Sequence, residues 1–518
     1  MKTLLISLAA AMALPAAAAD GFTNPVLPGM HPDPSVCSTP DGDFWLVNSS
    51  FCYFPGVPLY RSRDLVNWTQ HSYVLDRPSQ LPLDKAGVWD GIYAPTIRYD
   101  NGRFYMITTN VTGGGNFLVH TTDPGKGWSE PVWLEQGGID PSLYFEDGHC
   151  YMVSNPDGMV WLCEIDPLTG KKLTESVPLW GGTGGRYPES PHIYKKDGWY
   201  YLLLAEGGTE LAHKVTIARA KEIRGPYTPN PANPILTHCS QEGQGNIIQG
   251  TGHADFVEAP DGSWWMVFLG FRHQNGSHHL LGRETFLAPV RWDEGAWPVV
   301  NAGCQVLTEM KCPTLPLHEW PQEPRRDEFD ADTLSLRYMW MRHPEMDRYT
   351  LADGTLRLKA SDRPVGVADG SPTVIFKRQD AIDMVSETHL SIPKDASAGF
   401  ESGLTVFATP SSHYDLFLNR LPDGQTEAVA RYCLSEINHI EKRILLPAGQ
   451  TDATLRITAT PEQYIFAMST DGKNFEEMGR ANTRYLSTET AGGFTGTMIG
   501  IYATSPDGKG EAVIDYFE

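Results

Sequence analysis

Asp33, Asp140, Glu189 and His253 carry side chains that exchange protons, and each opens a short run of strand-forming residues. Two carboxylates flanking one bond are the minimum equipment for hydrolysing an acetal such as a glycosidic bond, one as proton donor, the other as base or nucleophile. A donor has to stay protonated at working pH, and an ionised carboxylate nearby raises its pKa toward that range. Glu189, in Tyr187-Pro188-Glu189-Ser190-Pro191, is the candidate donor and Asp140 the candidate neighbour. Asp33 lies between Pro32 and Pro34, which are expected to fix its backbone as extended. Glu206 is a rival acid at the far end of a strand. His253 reads as a metal ligand, a substrate contact or a satisfied buried imidazole, and its type alone does not decide. Arg283 has a planar donor fork suited to hydroxyl groups, or to pairing with Glu284 or another acid. Phe51, Phe54 and Tyr93 could stack on the apolar face of a sugar, although most aromatic residues in such a chain belong to the core.

A repeat brings these residues together. Asp33-Pro34-Ser35, Ala94-Pro95-Thr96, Asp140-Pro141-Ser142, Glu189-Ser190-Pro191 and His253-Ala254-Asp255 are each followed by an Asp-Gly or Asn-Gly turn and an aromatic strand. Five hairpins at a period of roughly 45–65 residues, with strands this short, predict a propeller. Aligned on the turn glycines, Asp33, Ala94, Asp140, Glu189 and His253 occupy one position at the start of an inner strand, facing a shared axial pocket. An isolated Pro-Asp-Pro reads more readily as a surface turn. Charge at that position in three repeats of five reverses the preference, because crowding unpaired carboxylates is costly and packing does not call for it.

A chain of 518 residues suggests two domains. Its net charge of −22 argues against nucleic acid or an anionic membrane as partner and favours a neutral one. Residues 1–19 read as a secretory signal, with Lys2, an apolar run to Leu14 and a run of alanines before Asp20. An exported protein, periplasmic or extracellular, is expected, with no lipid anchor at the cut. The cysteines at 37, 52, 150, 163, 239, 304, 312 and 433 lack zinc-type spacing, and disulfides stay open. The propeller is expected over 20–310, a Pro-rich linker over 311–326, and a second all-β domain, most simply a β-sandwich of concanavalin type, over 327–518.

Taken together, His31-Pro32-Asp33-Pro34-Ser35, Tyr93-Ala94-Pro95-Thr96, Gly138-Ile139-Asp140-Pro141, Pro188-Glu189-Ser190-Pro191, Gly250-Thr251-Gly252-His253 and Gly282-Arg283-Glu284-Thr285 resemble glycoside hydrolase family 43, in its β-xylosidase and α-L-arabinofuranosidase branch. The resemblance implies a five-bladed propeller and hydrolysis with inversion. It implies Asp33 as general base, Glu189 as general acid and Asp140 as the residue that tunes and orients that acid. Arg283 and His253 would line the sugar subsite, with Phe51 shaping it, and the loop Gly493-Phe494-Thr495-Gly496 would reach the pocket from the second domain. Tyr93 stands where Trp is usual and Cys52 where Glu is common; both are expected near the rim. The expected activity is release of terminal xylose or arabinofuranose from hemicellulose-derived oligosaccharides. No organic cofactor is needed, and a structural Ca²⁺ or Na⁺ is allowed in the channel, with His253 as a candidate ligand. The alternative is a non-catalytic sugar-binding propeller.

Overall fold

The computed structural model describes residues 21–311, 314 and 316–518; the predicted leader lies outside them. Its first half holds five four-stranded antiparallel sheets, each with its strands in sequence order. Their inner strands are Ser35–Ser38, Ile92–Asp100, Ile139–Glu146, Glu189–Lys196 and Ile248–Glu258, and each packs beside the next, the fifth against the first. The Asn101-Gly102, Asp147-Gly148 and Asp197-Gly198 turns take positive φ at both central residues, as a two-residue hairpin between twisted strands requires.

The ring closes through its ends. Leu27 and Thr285 exchange backbone hydrogen bonds at 3.2 Å, His31 N–H donates to Arg283 O at 3.0 Å, and the Asn24 side chain bonds both N–H and C=O of Leu287 at 2.9 Å. The first segment thus pairs with the last sheet, leaving no free edge there.

Inside the ring the inner strands are tied by one polar network. Arg98 donates to Asp255 Oδ2 at 2.7 Å and to Ser35 Oγ at 3.2 Å, and sits 2.8 Å from His192 Nδ1. Ser35 Oγ donates to Asp255 at 2.7 Å, and Ser142 Oγ bonds His192 at 3.0 Å. Each of the five inner strands contributes one of these groups, and Asp255 is fully buried.

The second half is a sandwich of a seven-stranded and a six-stranded antiparallel sheet. Strands such as Asp452–Ala459 and Gln463–Ser469 alternate buried and less buried residues, the pattern of a sheet with one face on a core. The halves share a hydrophobic core. Tyr53–Phe54 pairs with Trp340–Met341, and the buried Arg342 donates to Ala86 O and Gly370 O, both at 2.6 Å. Within the stretch expected to be a linker, His318 N–H donates to Asp64 at 2.6 Å, and Trp320 lies under the guanidinium groups of Arg61 and Arg63.

Candidate active site

A cavity of about 270 Å³ opens at the starts of the inner strands. Asp33, Phe51, Tyr93, Asp140, Glu189, His253, Arg283 and Phe494 all line it, so the structure brings these eight sequence-predicted residues together.

The backbone that aims them is left-handed. Asp33, Asp140, Ser190 and His253 have φ of 53, 51, 54 and 45°. Asp33 is therefore not extended, despite its flanking prolines. In the third sheet Ile139 pairs with Asn155 and Ser142 with Val153, so Asp140 and Pro141 together oppose one residue. This bulge recurs at Ala94-Pro95 and Ser190-Pro191, and a related register shift falls at His253. A bulge of this kind turns side chains out of strict alternation, here toward the axis. It also corrects the repeat alignment. Ser190 is the true equivalent of Asp140, while Glu189 matches Ile139 and Tyr93, one residue earlier. Glu189 reaches the cavity from a neighbouring position.

The three carboxylates have unlike surroundings. Asp33 accepts from Arg283 Nη1 at 2.8 Å and Nη2 at 3.4 Å, and from Ser49 Oγ at 2.7 Å. Burial alone would raise its pKa; the positive charge of Arg283, then His253 and the Ser49 bond, outweigh it and hold the carboxyl below its ordinary value. Asp140 receives the Ser190 N–H at 3.1 Å but no cation, and burial followed by repulsion from Glu189 and Asp33 pushes it well up. Glu189 is raised to about 7, by burial first and by the Asp33 charge second. His253 Nδ1 stands 3.5 Å from Asp33 and 3.8 Å from Asp140, and burial keeps its pKa below the usual imidazole value.

Arg283 is fixed from both domains. Its Nη1 donates to Thr209 Oγ1 at 3.1 Å and its Nε to Phe494 O at 3.2 Å. The Phe494 ring completes an aromatic wall, 5.4 Å from Phe51 and 5.9 Å from Tyr93 between centroids. Gly493 next to it has φ of 76° and lies so close to Trp89 that a Cβ there would collide with the indole.

Several candidates fall elsewhere. Glu206 is fully buried and takes Thr183 N–H at 2.7 Å, Gly185 N–H at 2.8 Å and Thr216 Oγ1 at 2.7 Å, so it braces the loop leading to Glu189. Cys52 is buried at the domain boundary, its carbonyl bonded to Arg342 N–H at 2.7 Å, and Phe54 pairs with Trp340; neither lines the cavity. The seven cysteines among the described residues are free thiols. His213 was not anticipated. It lines the cavity wall, bonds Gly250 O at 3.1 Å, and is pushed down to about 3 by burial. Its signal was Gly252, where any Cβ would enter the His213 ring. Among the described residues the clusters with converging metal-ligand atoms are His273–His279–Glu489 and His413–Asp415–Cys433; His253 belongs to neither.

A propeller with a small axial cavity, one carboxylate held ionised and a second held protonated is an acid–base hydrolase of glycosidic bonds. The comparisons agree. The family "Glycosyl hydrolases family 43" matches residues 22–298, and "Beta xylosidase C-terminal Concanavalin A-like domain" matches 326–518. A non-reducing end α-L-arabinofuranosidase of Bacteroides ovatus is 41% identical over 99% of this chain and 96% of its own. A xylosidase/arabinosidase of Butyrivibrio fibrisolvens is 38% identical over 95% and 98%. Among solved structures, a Bacteroides ovatus xyloglucan-locus family 43 protein superposes with a TM-score of 0.91 at 39% identity, covering 96% of this chain and 99% of that one. A xylan β-1,4-xylosidase of Bacillus halodurans gives 0.89 at 30%, over 96% and 99%. The chain belongs to glycoside hydrolase family 43, whose members invert the anomeric configuration.

Proposed function

We propose that the protein is an exo-acting glycosidase that releases terminal β-1,4-linked D-xylose, α-L-arabinofuranose or both from plant hemicellulose-derived oligosaccharides. The cavity of about 270 Å³ is at the small end for a ligand site, which suits one terminal sugar. The names of the relatives favour a pentose. The carrying observation is the split between Asp33, held ionised by Arg283 and Ser49, and Glu189, held protonated up to about 7 across the same cavity.

In this reading Asp33 takes a proton from water as the water attacks the anomeric carbon. Glu189 gives its proton to the departing glycosidic oxygen. One water is consumed, and proton exchange with solvent restores both groups. Asp140 positions Glu189 by accepting the N–H of Ser190, the residue after it; the charge that raises Glu189 comes from Asp33, not from Asp140 as the sequence suggested. Arg283 and His253 bind hydroxyls and orient Asp33; Phe51, Tyr93 and Phe494 face the apolar side of the sugar.

No cation is required for these steps. Among the inner strands the Arg98 guanidinium, bonded to Asp255, already supplies one positive charge. Residues 1–19 support export to the periplasm or medium, and a mature chain starting near Asp20 on N-terminal sequencing would bear this out.

The test is hydrolysis of nitrophenyl β-D-xylopyranoside and α-L-arabinofuranoside. Turnover of either that collapses in Asp33→Ala and Glu189→Ala supports the assignment, and the ratio of the two rates sets the specificity. No turnover of either by wild type would remove the pentose reading.

A further inference from the structure

We propose that His273, His279 and Glu489 bind a divalent transition-metal ion of the zinc type, joining the last propeller sheet to the sandwich loop that covers the cavity. The two histidines lie on the excursion between strands Trp264–Arg272 and Glu284–Arg291; Glu489 belongs to the short helix Thr488–Ala491 of the other domain. Two imidazoles and a carboxylate are a zinc-type donor set, and their ligand atoms all lie within 4.8 Å of one another.

The geometry is near that of a coordinated ion. His279 Nδ1 is 2.7 Å and His273 Nε2 is 3.9 Å from the same oxygen, Glu489 Oε1. Tetrahedral bonds of about 2.0–2.1 Å put ligand atoms about 3.3–3.4 Å apart, between these two values. Small opposite adjustments would admit the metal. At 3.9 Å His273 Nε2 makes no hydrogen bond to Glu489. The supports are firm: the His279 ring stacks on Phe271 at 4.1 Å, and Gln274 N–H donates to His278 O at 2.7 Å to pin the turn.

The other donor cluster shows what a filled position looks like. In His413–Asp415–Cys433, Asp415 is already paired with Arg431 at 2.9 Å. Among the described residues Glu489 has no Lys or Arg within ion-pair distance; its Oε1 faces the two imidazoles and its Oε2 accepts the His279 backbone N–H at 3.1 Å. The partly exposed Glu489 leaves a path for entry and a fourth position for water. Phe494 lies five residues beyond Glu489, so the ion would fasten the segment that walls the cavity.

The experiment uses the full-length protein, stripped with a chelator and titrated with Zn²⁺ by calorimetry, and with Co²⁺ by visible absorption. One equivalent of Zn²⁺ binding at about micromolar or tighter, with intense four-coordinate Co²⁺ bands, is expected. His273→Gln is expected to weaken binding about a hundredfold without changing the unfolding temperature of the metal-free protein. Glu489→Gln should weaken binding similarly. Absence of saturable binding in wild type would overturn the proposal. So would equal affinity in wild type and both variants, which would place the ion on others of the chain's 16 histidines.

Discussion

The five inner strands carry two polar rings, one above the other, built from the same repeat and put to opposite ends. The lower ring sets Asp255 against Arg98, with Ser35, Ser142 and His192 filling the remaining bonds. Burial works against the Asp255 charge, yet Arg98 and then His192 hold its pKa far below the ordinary carboxylate range. The upper ring has Asp33, Asp140 and Glu189 but a single guanidinium, Arg283, which is spent on Asp33. The surplus acids there are pushed up instead. Charge balance makes a fastening and charge imbalance makes an acid, on one scaffold and a few residues apart.

That contrast can be broken most sharply at Asp33. Asp33→Asn is predicted to lower kcat/KM by about 10⁴-fold; a loss under tenfold would take the upper ring out of catalysis. The lower ring should answer the other way. Arg98→Met, which strands the buried Asp255 carboxylate, is predicted to cost about 3–5 kcal/mol in denaturant unfolding, and an unchanged midpoint would show that the ring is not a fastening.

Glu189→Gln is predicted to cost about 10²–10³-fold on a sugar leaving group and far less on a dinitrophenyl one, which needs no protonation. Because the acid must keep its proton, wild-type kcat/KM should fall as pH rises through about 7, and this limb should vanish in the variant. An alkaline limb that persists would assign the donor elsewhere. The smallest effect is expected from Ser49→Ala. Losing one bond to the ionised form raises the Asp33 pKa, so the acid limb should move to higher pH by about one unit. A limb that stays in place would show that Arg283 and His253 set the base without Ser49.

Periodicity made the hairpins, the two all-β halves and the convergence of Asp33, Asp140, Glu189 and His253 legible, since each depends on local patterning that the chain repeats; Arg283, Phe51 and Phe494 were placed at the pocket by the family resemblance instead. What stayed hidden depends on register or on the partner domain. The left-handed φ of 53° at Asp33 is not announced by the proline chemistry at 32 and 34. The bulge at Ser190-Pro191 separates Glu189 from Ser190, a one-residue distinction that turn-glycine alignment cannot see. Cys52 is bonded through its carbonyl to Arg342, some 290 residues on, and Trp320, in the expected linker, lies against Arg61 of the first sheet. Such contacts have no local signature.

The closure of the ring by its ends bears on how the enzyme comes to life. Asp33 and Arg283 are 250 residues apart, and the strand pairing that sets them side by side also joins Leu27 to Thr285. A chain still being synthesised holds its base without its cation, so that carboxylate lacks its tuning until the last sheet arrives. Contacts this distant in sequence form late and slowly. Turnover, in this molecule, is a readout of finished folding.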